Sequence, residues 1–535
     1  MPHLVVGILL LVLVSSPLHA EELTGVLPNE RNDSAVPGEK LSLLPKVFVK
    51  RFIITGNSAI AGEDLLQVAR AYTNREVTIE QLEELRQALN LLYVKRGYIN
   101  SGVIIPDQQV ADGVINLVVI EGKLTNIEIT GLNHYRESYF KNRLEPGSQE
   151  ILNLNTLQES LEILQQDRRI KRINADLQPG KRPGEAYLKV KVEEESPYKM
   201  ILRFNNNATP STGMYQGKAS LAHRNLFGFG DTLGVDLKVT EGALNIAAAY
   251  TIPVTSRDTS VSLFFRKDDS AIIEEQFAGM NINSTTETVG VKIRQPLYRT
   301  GSREFALSLA GEYRESRCYL FDQPYSFSLS EHDGVARVSV LRLGQEFIHR
   351  GSGSILAIHS TFNVGLPVLG ATTNDRDPDS RFFSWLGQLM LLSRIGESAT
   401  QLMLKTNVQV AADGLLAIER FGLGGMNSVR GYRTNLLVRD NGLNSTLEFR
   451  VPVIGRESGW GEASLVPFFD FGWGWNSDTT TPNTTIAGVG GGIRWNLWDR
   501  VLVEAYYGYA LNKVQVFNES LPDRGIYFQV TTEVF

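Results

Sequence analysis

The sequence predicts two small α+β modules in tandem, followed by a transmembrane antiparallel β-barrel of about 16 strands. Three observations predict it. Helical periodicity, in a strand–helix–helix–strand–strand order that occurs twice, is confined to residues 47–195. From 196 to 535, short alternating segments punctuated by Gly, Asn, Asp and Ser run on without a helical pattern. Near the N-terminus an apolar run, "LVVGILLLVLV", is too short to span a membrane and is followed by "LHA", a small-residue cleavage site.

Residues 1–20 therefore read as a secretory signal peptide, although no Lys or Arg precedes the apolar run. Residues 21–46, polar and carrying Pro28, Pro37 and Pro45, read as a linker. The first module, 47–122, opens with "VFVKRFIITG" as a strand and continues with two helices. In the second helix Thr78 and Gln81 form a capping box, and Ile79, Leu82, Leu85, Leu89 and Leu92 share one face. The second module, 123–195, repeats the pattern: "LTNIEITG" matches "VKRFIITG", with Gly131 lying 75 residues after Gly56. Its helix "TLQESLEILQQD" places Asn155 and Gln158 as cap and third residue. Both are compatible with generic α+β domains; edge strands of such modules also accept an added peptide strand.

In the barrel region, "LNSTLEFRVPV" sets Leu443, Leu447, Phe449, Val451 and Val453 on one face and Asn444, Thr446, Glu448 and Arg450 on the other. "VLVEAYYGYA" does the same with Glu504 on the polar side. An apolar outer face, a charged inner face and tryptophans at 473, 475, 495 and 498 fit a membrane barrel with interfacial aromatic belts. Strands of roughly 10 residues, with loops about as long, make about 16 strands and a lumen wide enough for a channel or a plug.

The segment 414–441 is long for a hairpin, and long loops with chemistry of their own are usually functional. The strand that follows the next one, "LVPFFDFGWGW", sends Phe468, Asp470 and Gly472 into the lumen. A carboxylate there needs a cation. Arg430, on a loop around 420–440 folded inward, is the candidate, with Glu448 and Glu504 as competing acids. Gly431 allows a tight tip and Tyr432 can wedge against the wall. A phosphate cradle is disfavoured, since neither "MNSVRGYR" nor "GVGGGIRW" lies between a strand and a helix and no G-K-[ST] follows.

Other classes are excluded or disfavoured. One cysteine, Cys318, precludes an intrachain disulfide and a cysteine metal cluster. The seven histidines form no H-E-x-x-H pair and no Ser–His–Asp set, so no metal, cofactor or catalytic residue is expected. A net charge of -6, from 53 basic and 59 acidic residues, indicates no nucleic-acid surface.

The stretch 91–131, "LLYVKRGYINSGVIIPDQQVADGVINLVVIEGKLTNIEITG", resembles the first POTRA domain of two-partner secretion transporters, through Gly97–Tyr98, Pro106, Gln108 or Gln109, Asp112–Gly113 and "VIEG". "HRNLFGFGDTLGV" resembles an early barrel segment of the same superfamily. "SVRGYR", with Val429, Arg430, Gly431 and Tyr432, resembles the family's loop signature, and Phe468, Asp470 and Gly472 match its F-x-D-x-G strand signature. The resemblance spans about 47–535. It implies an outer-membrane barrel with periplasmic POTRA domains, in contact with outer-membrane lipid and placed there by the barrel-assembly machinery. It implies a loop arginine paired with a strand aspartate. It implies export of a large secreted β-helical partner, a haemolysin or adhesin, without nucleotide. A barrel-assembly insertase and a passive porin or receptor remain alternatives. One departure stands out: family members often carry an N-terminal plug helix, and none is evident in 21–46.

Overall fold

The computed structural model describes residues 40–144, 151–328, 331–375, 378–477, 481–498, 500–512, 514 and 520–535. The expected signal peptide, and the expected linker as far as residue 39, lie outside the described residues. Residues 40–46 are not free of the first module. Leu41 is buried in its core and donates its N–H to the Gln108 carbonyl at 2.8 Å.

The first module has a sheet in the order Arg51–Thr55, Val114–Ile120, Gly102–Ile104, its first pair parallel and its second antiparallel. "VFVKRFIITG" is two strands rather than one: it breaks at Lys50, and Lys46–Val49 pairs instead with Arg75–Thr78. Helix Ile79–Lys95 starts in the Thr78–Gln81 capping box and buries Leu82, Leu85, Leu89 and Tyr93. The second module repeats the sheet as Lys123–Thr130, Glu185–Glu194, Ile170–Pro179. Its helix Leu154–Gln165 is capped by Asn153, not Asn155. The helix begins at Leu154, so the Asn153 side chain is the one that accepts the N–H groups of Asn155 and Thr156.

The repeat extends to details. Gly56 and Gly131 both have positive φ, and each passes close to a sheet carbonyl, of Val119 and Val192. A glutamate then ties down each following turn. Glu121 accepts the N–H groups of Ser58 and Ala59 at 2.6 and 2.7 Å; Glu194 accepts those of Asn133, His134 and Tyr135. Burial works against charge on Glu121 and Glu194. The hydrogen bonds outweigh it and hold both carboxyls below their ordinary value of 4.5.

From Tyr198–Asn205 to Ile526–Glu533 the strands form a closed antiparallel barrel, the last pairing with the first from Gln529↔Asn205 to Glu533↔Ile201. It has 16 strands when Glu462–Leu465 and Phe468–Trp475 count as one strand interrupted at Val466–Pro467, and the two-residue Gln323–Pro324 is left out. Leu263, Phe265, Val289, Val291, Ile293, Leu307 and Leu309 stand exposed on the outside, the apolar band a lipid-facing wall requires. No described helix is long and apolar enough to cross a membrane. The second module abuts one mouth of the barrel: Arg136 donates its backbone N–H to Gly228 O at 3.0 Å, and Arg143 pairs with Asp258 at 2.5 Å. The loop preceding Asn441 belongs to the opposite mouth and folds back inside.

Candidate functional site

The inward loop leaves the strand Gln401–Ala411, forms a short ribbon from Phe421–Leu423 and Leu437–Arg439, and returns at Asn441. Its tip carries Val429, Arg430, Gly431 and Tyr432. Strand alternation in Phe468–Trp475 buries Phe468, Asp470 and Gly472 and turns Phe469 and Trp473 outward.

Arg430 is 2% exposed and Asp470 0%. The guanidinium grips Asp470 in a fork, Nε to Oδ2 at 2.7 Å and Nη2 to Oδ1 at 2.8 Å, while the Arg430 backbone N–H donates to the same Oδ2 at 3.0 Å. The third nitrogen, Nη1, donates to Glu448 Oε1 at 2.7 Å. Phe468 lies flat beneath, its ring centroid 3.4 Å from Arg430 Cζ, and Tyr506 flanks it at 5.2 Å. Glu448 thus complements Asp470 rather than competing with it. Glu504 is occupied elsewhere, with Arg494 at 3.0 Å.

Gly431 has φ +99°, which lets the chain turn back at the wall. Its N–H donates to the Tyr527 hydroxyl at 3.0 Å, which in turn donates to Tyr432 O at 2.6 Å. The Tyr432 hydroxyl reaches the wall, 2.9 Å from the carbonyls of Ala487 and Asn512. Val429 packs with Leu423, Tyr432 and Ile486. A Cβ on Gly472 would meet Val429 Cγ2 at 2.8 Å, and one on Gly488 would come within 2.0 Å of Arg430 O. Gly488 of "GVGGGIRW" is therefore part of the loop's seat, a use that the rejection of that stretch as a phosphate cradle did not anticipate.

Two further anchors were not visible in the sequence. Glu419 pairs with Arg314 at 3.1 Å and Arg342 at 3.0 Å, on strands Arg303–Leu320 and Val335–Arg350, so the loop spans the lumen from those strands to the Asp470 wall. Arg433 forks onto Asp523, both bonds 2.7 Å, and reaches Glu274 at 3.2 Å. The acids that hold Arg433 come from distant loops, which no local pattern in the sequence records. Among the described residues no cluster of metal-ligating side chains occurs.

Two tandem α+β modules at one mouth of a 16-strand barrel, with an ion-paired loop across its lumen, define a transporter of the POTRA–barrel class. Residues 184–495 match the haemolysin secretion/activation protein ShlB/FhaC/HecB family, and 47–122 match the ShlB-type POTRA domain. The outer membrane transporter CdiB of Dickeya dadantii (strain 3937) is 25% identical over 398 residues, 72% of this chain and 69% of that protein. The heme/hemopexin transporter protein HuxB of Haemophilus influenzae (strain 86-028NP) is 22% identical over 441 residues, 78% of this chain and 74% of its own. The structure of CdiB from Escherichia coli superposes with a TM-score of 0.71 at 21% identity, covering 95% of this chain and 93% of that one. The chain belongs to the ShlB/FhaC/HecB family of two-partner secretion transporters. It is an outer-membrane protein with its POTRA domains in the periplasm, in a family of transporters whose role is the secretion of partner proteins.

Proposed function

We propose that this chain exports one large secreted partner, which docks on the POTRA pair as an extended segment, passes through the barrel and folds outside as a β-helix. The chain carries no enzymatic activity in this reading, and the barrel-assembly machinery inserts it. The observation that carries the proposal is the seat of Arg430. A side chain only 2% exposed and bonded to two acids holds a loop across the very lumen that an exported chain must traverse. A residue set that only stiffened a wall would need no fork from a separate loop; a loop that must be displaced and restored does. Docking is supported by the edge strands of the sheets, Gly102–Ile104 in the first module and Ile170–Pro179 in the second, each paired with a strand on one side only among the described residues.

The test compares culture supernatants from the parent strain, a strain lacking the chain and one carrying Arg430→Ala. One large protein is expected to vanish in both altered strains. Unchanged secretion with a decline of several outer-membrane barrels would replace export by barrel insertion.

A further inference from the structure

We propose that the vestibule between the second POTRA domain and the barrel mouth is an anion site that takes carboxylate side chains of the exported chain as it enters the lumen. The proposal rests on the secretion reading above. A cavity of about 450 Å³ lies there, walled on one side by Tyr139, Leu164 and their neighbours and on the other by strand ends such as Thr232, Thr251 and Ser260. Six arginines line it, against two aspartates.

Most of these arginines are engaged. Arg169 forks onto Asp167, both bonds 2.7 Å. Arg294 bridges Glu304 at 2.6 Å and Glu346 at 2.7 Å, and Lys292 shares Glu346. Arg143 and Arg299 converge on the single carboxylate of Asp258, each at 2.5 Å. Arg168 and Arg224, also in the wall, have no ion-pair partner among the described residues. Arg299 Nε is buried without a hydrogen-bond acceptor, a Glu304 oxygen standing off at 3.6 Å. Four carboxylates thus face six guanidiniums and the Lys292 ammonium, so three cationic charges are in surplus.

A surplus of one sign in a walled cleft focuses the field and concentrates counter-ions. Asp258 indicates which counter-ion suits the geometry: one carboxylate already joins a POTRA guanidinium to a barrel guanidinium. A passing Asp or Glu can make the same bridge with Arg168 on the domain and Arg224 at the end of the strand Gln216–Arg224. Arg168 is exposed and Arg224 half-buried, so such contacts stay solvated enough to exchange. Conduction needs binding of this kind, strong enough to admit and weak enough to release.

The experiment uses the full chain in nanodiscs of uncharged lipid and a fluorescent hexaglutamate peptide, read by anisotropy. Hexaglutamate is expected to bind at low salt and dissociate at high salt. Its affinity is expected to fall about tenfold with Arg168→Gln and again with Arg224→Gln, while Arg224→Lys retains most of it and controls for folding. Binding of hexaglutamine as tight as hexaglutamate, or binding unchanged in the double variant, overturns the site. Displacement by equimolar inorganic phosphate overturns its assignment to carboxylates. Export is read in the same strains. Normal secretion by the double variant overturns the role in export even where the peptide binds. If deletion of the whole chain alters nothing secreted, the secretion reading falls instead, independently of the peptide result.

Discussion

Arg430→Ala is the most direct test of the seated loop. It removes three side-chain hydrogen bonds, 2.7 and 2.8 Å to Asp470 and 2.7 Å to Glu448. Glu448 keeps Arg450 at 3.4 Å, but Asp470, 0% exposed, is left with no ion-pair partner among the described residues. Taking one member from a buried pair costs about 3–5 kcal/mol, chiefly because the remaining charge stays desolvated. That cost falls on the seated loop alone, since a released loop lets water reach Asp470. At about 1.4 kcal/mol per factor of ten, the released population rises roughly a hundredfold to a few thousandfold. The assay is maleimide labelling of Ser428→Cys in a Cys318→Ser background, because Ser428 is 8% exposed beside the tip. Labelling should accelerate by about that factor while heat-modifiable migration reports an intact barrel. Arg430→Lys, which keeps the charge but loses the fork, should fall between. A labelling rate within about threefold of the parent, with a coupling near zero in a double-mutant cycle with Asp470→Asn, would refute the energetic argument.

The remaining predictions address the seat, the base and the periplasmic domains. Gly488→Ala forces a Cβ to 2.0 Å from Arg430 O and should accelerate labelling and cut export. Gly491→Ala, in the same glycine run but with its nearest neighbour at 3.9 Å, should do neither. Glu419→Gln should accelerate labelling by only about tenfold, because Glu312 still pairs with Arg342 at 2.9 Å and Arg314 at 3.7 Å. Asn153→Ala removes a helix cap and the bond from Asn153 Nδ2 to Arg96 O at 3.0 Å. It should lower hydrogen-exchange protection of Leu154–Gln165 by about 1 kcal/mol. Because the folded carboxyls of Glu121 and Glu194 lie below 4.5, their stabilisation is complete above that pH and is lost as pH falls through the lower folded values. Glu121→Gln with Glu194→Gln should therefore flatten the acid limb of POTRA unfolding below about pH 4.5; an unchanged limb would remove the two clamps from the acid response.

How much of this was legible depends on the range of the interaction. The capping box at Thr78, the alternation that sends Asp470 inward and the strand count follow from periodicities of 3.6 and 2, which are local. The cap at Asn153 was misplaced by two residues because Asn155 also precedes a helical run, and only the observed start at Leu154 separates them. The break at Lys50 was hidden for a different reason: "VFVKRFIITG" is a continuous β-prone run whose only local trace of the break is the adjacent Lys50–Arg51, and what divides it is a change of partner, from Arg75–Thr78 to Val114–Ile120. Pattern within a strand does not name the strand opposite.

The same limit explains the loop. Arg430 and Asp470 lie 40 residues apart; inward alternation left Asp470, Glu448 and Glu504 all open as partners, and it is the resemblance of "SVRGYR" and F-x-D-x-G to the family's two signatures that pairs Arg430 with Asp470. Glu419 and Arg314 are 105 residues apart, and Arg433 and Glu274 159. These contacts exist only because the strands close into a cylinder, which brings the seventh and eighth strands within reach of a loop that leaves the eleventh. Closure converts sequence distance into a chord across the lumen, and no periodicity records where the chord ends. The glycines were the one local trace of it. Gly472 and Gly488 sit inward on neighbouring strands where a packed wall would carry side chains, and that vacancy is the imprint of the loop that fills it.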